Sequence, residues 1–361
     1  MEREKVMLVI VIILFGLIVV FFSLNITKKV NFQPEADNSS ISCKTLKYNG
    51  EGKINLVFFG DNQSVKKYVD SFLKIVPFDT NKEAFNFYYI DNYAPECQLY
   101  NGIALLCYSS DIIKKAALCP NDFIVILKDK TPKIRSSSYM NVLSINIEHP
   151  TSVLPHEFGH SFADFSEEYV PTELPSNSPN CMDNCSKFGN LKNGCFEGCS
   201  RADYYRSVDS GIMRTLSSQQ YGLFNENILL SKLKQNAKLT GKSIEEPQCN
   251  KEFYLIEGNY SSSHIDILRR TIERGCPGTN GVGSFSYSLI LNDGSVANQG
   301  EFKPNLIFTD SEEGGEVYNY EGRFLLQIPL IKEAKAMSIS QSNIKLSEIR
   351  LDDIGARPCK K

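Results

Sequence analysis

His156, Glu157 and His160 stand in the run His-Glu-Phe-Gly-His, and that spacing is the strongest chemical signal in the 361-residue chain. Residues four apart on a helix lie one above the other on the same face, so two imidazoles can share one cation. The glutamate beside the first histidine then projects next to the cation's open position. Imidazole and carboxylate ligands with one position left for water suit zinc, which brings the ionisation of that water near neutral pH. The expected cofactor is Zn2+. The expected chemistry is peptide-bond hydrolysis, with Glu157 as general base on a zinc-bound water and as carrier of its proton to the leaving amine. The chain has four histidines, and the other two, His149 and His264, lie outside the spacing and read as surface or structural.

A site helix needs flanks, and residues 151–169, TSVLPHEFGHSFADFSEEY, supply them. Thr151 or Ser152 can cap its start, while Val153, Leu154, Phe158 and Phe162 make an apolar face. Pro155 falls in the first turn, where backbone N–H groups have no intrahelical partner to lose. A catalytic zinc also needs a third protein ligand, and Glu167 and Glu168 are both candidates. If the helix continued, Glu168 would lie ~12 Å along the axis from His160, beyond a carboxylate's reach. The helix must therefore end early, and Asp164 and Ser166 are residue types that favour a turn there.

The elements before and after this helix differ in texture. Residues 53–60 (KINLVFFG) read as a strand and 64–76 as a helix. Strands follow at 85–90, 123–127 and 142–147, with a helix near 111–118 between them. This alternation predicts an α/β domain over 53–248 built on a mixed, mostly parallel sheet. From residue 249 to 361, short apolar runs at 253–257, 284–291, 305–308, 323–328, 336–340 and 349–351 are separated by Gly, Asn, Asp and Pro. They predict a separate β-sandwich domain.

The 14-residue stretch HEFGHSFADFSEEY resembles the zinc signature of the IgA peptidase family of metallopeptidases, in which HEFGHSF is followed by a short variable stretch, an acidic residue, Glu and Tyr. By position the resemblance places the third metal ligand on Glu168. Further on, Tyr205-Arg206 and Ser210-Gly211-Ile212-Met213-Arg214 resemble the segment that ends in the methionine turn of such enzymes, with Met213 as the floor beneath the metal. The resemblance implies a zincin-like, metzincin-like catalytic fold. Tyr205, preceding that turn, is a candidate oxyanion donor. The Gly and the His or Asp that metzincins place three and six residues after the second histidine are here Ala163 and Ser166.

Residues 6–24 carry no charge and at helical rise span ~29 Å, enough to cross a bilayer. The sequence therefore predicts a five-residue cytoplasmic tip, a single-pass transmembrane anchor over 6–24, a polar linker over 25–52, and a body beyond it. All eleven cysteines follow the span, which favours an extracytoplasmic location for that body. Cys181, Cys185, Cys195 and Cys199 read as two disulfides of open pairing, stapling a loop beside the substrate groove. An odd total leaves one cysteine over. A net charge of −3 gives no basic field for nucleic acid. The expected partners are a protein or peptide substrate and the membrane, the alternative being a non-catalytic cell-surface adhesion protein that works through its β-sandwich.

Overall fold

Four buried apolar runs build the centre of the molecule. The structure, a computed structural model, describes residues 41–175, 178–189, 194–237, 248–261, 264–311 and 314–351. In chain order the first strands are β1 (Lys44–Lys47), β2 (Ile54–Phe59), β3 (Phe85–Ile90), β4 (Gln98–Tyr100), β5 (Ala104–Leu106), β6 (Phe123–Lys128), β7 (Ser136–Tyr139) and β8 (Val142–Asn146). Helices α1 (Asn62–Phe72), α2 (Ser110–Ala116) and α3 (Val153–Ala163) lie among and after them. A hairpin of β9 (Phe196–Cys199) and β10 (Arg201–Arg206) and helix α4 (Leu223–Ala237) follow. The last strands are β11 (Lys251–Ser261), β12 (His264–Gly275), β13 (Phe285–Leu291), β14 (Val296–Phe302), β15 (Leu306–Asp310), β16 (Glu316–Asn319), β17 (Gly322–Pro329), β18 (Ala334–Gln341) and β19 (Ile344–Arg350).

An eight-stranded sheet runs in the order β1-β3-β2-β6-β8-β7-β15-β16. Strand side chains alternate between faces, so Leu56 and Phe58 join one core with α1 and α3, while Val57 and Phe59 join another with α2. Both faces are covered, which is why these strands read as continuous apolar runs rather than alternating ones. Asp61 caps α1 by accepting the Ser64 N–H at 2.9 Å, and Ser109 caps α2 by accepting that of Ile112 at 3.3 Å.

The sheet is mixed, and parallel only through its middle: β3, β2, β6 and β8 run parallel, whereas β1, β7, β15 and β16 pair antiparallel. The expectation of a mostly parallel sheet missed the outer strands. β7 and β8 are separated by Met140 and Asn141 alone, and so short a connection permits only an antiparallel pair.

Two further expectations are corrected. The predicted linker over 25–52 contains β1, which pairs with β3 and is tied down by the Cys43–Cys119 disulfide. The predicted boundary near 249 does not separate two independent cores. Two sheets, β12-β11-β17 and β14-β13-β18-β19, do enclose an apolar core as a sandwich should, but Tyr139 of β7 and Ile307 of β15 belong to it as well. However, Phe253, Leu255 and Leu325 pack with Val57 and α2 of the first region, and β15 and β16 extend the eight-stranded sheet. The described residues between 41 and 351 form one compact unit.

Among the described residues there are five disulfides, Cys43–Cys119, Cys97–Cys107, Cys181–Cys199, Cys185–Cys195 and Cys249–Cys276. They suit an oxidising, extracellular setting. Cys359, the eleventh cysteine, and the predicted span over 6–24 lie outside the described residues. Among the described residues no helix is long and apolar enough to cross a membrane.

Candidate metal centre

Helix α3 carries His156, Glu157 and His160, and every residue of it is buried. Pro155 occupies its first turn, as the sequence requires. The anticipated side-chain cap is absent: the Ser152 hydroxyl donates to the Leu216 carbonyl, and Thr151 Oγ1 lies 2.7 Å from Ser71 Oγ. The first turn is instead closed by backbone bonds, Val153 N–H to Pro150 O at 3.0 Å and Leu154 N–H to Thr151 O at 3.3 Å. Gly159 faces Met213, whose Sδ would lie 2.8 Å from a Cβ placed there. Met213 is fully buried and packs against the helix at Gly159.

The helix stops where it must. Asp164 adopts left-handed backbone angles, φ 61° and ψ 30°, and the chain reverses. The Phe165 carbonyl then comes back to accept from His160 Nδ1 at 2.7 Å, and the Ile212 carbonyl accepts from His156 Nδ1 at 2.8 Å. A carbonyl can only accept, so both rings carry a proton on Nδ1, and a neutral ring then presents its lone pair at Nε2. The two Nε2 atoms are 3.0 Å apart.

Glu167, not Glu168, meets them. Its carboxylate oxygens lie 3.1 Å from His160 Nε2 and 3.4 Å from His156 Nε2. Glu168 turns the other way, where its Oε1 accepts from Asn225 Nδ2 at 2.8 Å and Asn180 Nδ2 at 3.2 Å. The assignment of the third ligand to Glu168 is thus corrected by geometry. The Glu168 N–H is bonded to the Met213 carbonyl at 2.9 Å, and the Glu167 carbonyl accepts from Ser200 Oγ at 2.8 Å. These bonds fix the rotation of the segment, which decides which of two adjacent carboxylates points inward.

Tyr205 does not take the place foreseen for it. It lies on β10, with its backbone bonded to Met182. The phenol at the centre is that of Tyr169, which donates to Asp310 Oδ1 at 2.8 Å. The stapled loop bears directly on the centre. Asn180 bonds both N–H and C=O of Ser166, at 2.8 and 2.9 Å, and so buttresses the reversal that delivers Glu167. The nested pairing Cys181–Cys199 and Cys185–Cys195 anchors that buttress.

β15 supplies two more neighbours. Asp310 Oδ2 lies 3.4 Å from His156 Nε2, and the Phe308 ring stacks on His160 at 4.2 Å between centroids. His149 and His264 are elsewhere: the first is buried between Ser136 and Pro132, the second exposed beside Asp266. Asp310, Phe308, Asn180 and Asn225 were not foreseen as site residues, since nothing in their local sequence marks them, and Tyr169, although it closes the signature stretch, was given no role.

Charge is concentrated here without solvent. Burial pushes the Glu157 carboxyl well above the usual carboxylate range, with Asp310 and Glu167 adding to the rise and His156 opposing it. Burial also favours neutral His156, but the negative charges of Asp310 and Glu167 outweigh it and raise the imidazole. Burial disfavours ionised Glu167 too, and there the two histidines win and hold the carboxyl low. Glu168, away from that cluster, is pushed up to about 7 by burial.

The donor set fits a zinc ion. His156, His160 and Glu167 each offer one ligand atom, all within 4.8 Å of one another. Four ligands at ~2.0–2.1 Å from a tetrahedral ion are separated by ~3.3 Å, close to the 3.0, 3.1 and 3.4 Å found here. Glu157 is fully buried, with no hydrogen-bond partner on either carboxylate oxygen. Such a carboxyl has a large desolvation cost when ionised unless a nearby positive charge or hydrogen bond offsets it. No known protein family and no curated protein matches the chain.

Proposed function

We propose that the chain is a zinc-dependent endopeptidase of the IgA peptidase type, with His156, His160 and Glu167 as metal ligands and Glu157 as general base. One observation carries this reading: two imidazoles whose Nδ1 protons are spoken for aim their Nε2 lone pairs at the point that the Glu167 carboxylate also faces. When bound there, zinc would polarise the scissile carbonyl and acidify water. Glu157, next to His156 on the helix, takes a proton from that water and delivers it to the amine that leaves. Burial raises its proton affinity above that of an ordinary carboxylate, which favours taking the proton from water, the first of the two steps. Met213 supports the helix from below through contact with Gly159. Tyr169 orients Asp310 rather than a reacting group.

The expected place of work is outside the cytoplasm, tethered by the apolar stretch over 6–24. The density of disulfides supports the first part and the hydropathy of that stretch supports the second.

Metal content is the test. Purified protein should carry one zinc per chain, retained in Glu157→Gln and lost from His160→Ala. Casein cleavage should fall by ~10²–10⁴-fold in Glu157→Gln, the usual contribution of a general base. A wild-type protein that takes up no zinc would overturn the reading.

A further inference from the structure

Four lysines gather at one place on this acidic chain. A cavity of about 460 Å³ between β1 and α1 is lined by Lys47, Lys66, Lys74 and Lys82, with Asp70 as its one acidic lining residue. Lys66, Val69, Asp70, Leu73 and Lys74 recur at three- and four-residue spacing, which puts them on one face of α1 and its last turn. The net charge of the whole chain is −3, so the positive excess here is a local feature and not the average of the surface.

The charges are uncommitted and the floor beneath them is apolar. Among the described residues none of the four lysines forms an ion pair, whereas Lys44 on the same strand is taken up by Asp91 at 2.7 Å. Glu83, next to Lys82 in the chain, lines a different cavity. Val69 and Leu73 are buried at the base, and Leu46 is half-buried against the same core. Lysine stems lie along such a surface while their ammonium groups reach outward. A phosphate head would meet the ammonium rim, and the carbon chain behind it would meet the floor.

The cavity also stands close to the tether. β1 begins at Lys44, 20 residues beyond the predicted span, and an extended chain of that length reaches ~70 Å at most. Such a linker keeps the cavity at high effective concentration beside the bilayer, so contacts too weak to hold a free protein there would count. Each lysine near an anionic membrane surface contributes ~5-fold to binding.

We propose that Lys47, Lys66, Lys74 and Lys82 form a binding site for the phosphate headgroup of an anionic lipid, which docks the body of the protein against the membrane that anchors it. The proposal rests on the tether of the reading above and is independent of the metal.

Lipid retention by the full chain is the test. Solubilised in mild detergent with equal amounts of phosphatidylglycerol and phosphatidylcholine, the wild type should retain the anionic lipid in excess when bound lipids are counted by native mass spectrometry. Replacing the four lysines with glutamine should lower that excess by at least ~5-fold. The same change at Lys251, Lys332, Lys335 and Lys345, exposed lysines after residue 250, removes equal charge and should leave the excess unaltered. Asp70→Asn removes the opposing charge and should raise it, a gain that misfolding cannot produce. An excess that survives loss of the four lysines, or that falls equally in the control variant, would overturn the site. Displacement of the lipid by an equal concentration of glycerol phosphate would assign the cavity to a free phosphate and overturn the docking. An alkaline carbonate wash tests the tether separately: wild type and quadruple variant should both stay with the membrane, and release of the wild type would overturn the tether and this proposal with it.

Discussion

Glu167 and Glu168 are neighbours in the chain and face opposite ways: the first meets His156 and His160, the second is held by Asn180 and Asn225. Their substitutions should therefore differ in kind. Glu167→Gln should lose zinc on dialysis, while Glu168→Gln should keep it, with affinity changed by less than ~10-fold. Metal analysis of the two dialysed proteins decides the matter, and the reverse outcome would place the ligand on Glu168.

Gly159 allows Met213 to lie directly against the site helix. A Cβ there would meet Met213 Sδ at 2.8 Å, Phe165 at 3.2 Å and Tyr221 at 3.3 Å. Gly159→Ala should destabilise the protein by ~1–3 kcal/mol through overpacking, even though alanine is the better helix former. Urea unfolding measures it. An unchanged or raised midpoint would mean that Met213 yields freely and is no rigid floor.

Asp122 gives a pH dependence remote from the metal. Burial pushes its carboxyl up to about 6 in the folded protein, against the pull of the Asn55 N–H and side-chain amide bonded to it at 2.8 and 2.9 Å. The folded state then keeps a proton that the unfolded chain gives up near the ordinary aspartate value of 3.8. Its contribution to stability is complete below 3.8 and declines as pH rises to about 6. Urea midpoints measured through this interval should fall more steeply in wild type than in Asp122→Asn. Parallel profiles would show that the group has no such role.

The Cys43–Cys119 bridge closes a 76-residue separation and fastens the residue before β1 to the segment after α2. Replacing both cysteines with serine should cost ~2–4 kcal/mol, chiefly by freeing the unfolded chain. Denaturant titration of the double variant reads this directly. A loss below that range would indicate that β1 is held by its pairing with β3 alone.

Local geometry determined what the sequence could reveal by itself. The i, i+4 spacing of His156 and His160 places both rings on one face in any α-helix, and Pro155 and Asp164 mark where that helix begins and must end. The apolar runs of β2, β3, β6 and β8 likewise declare buried strands, because both faces of each are covered. Tertiary structure alone chose between Glu167 and Glu168, since the choice depends on bonds to Met213 and Ser200, residues distant in sequence. It alone brought Asp310 to the centre from 141 residues beyond Tyr169. That placement follows from the pairing of β15 with β7, and a strand's own residues fix its alternation but not which distant edge it will join.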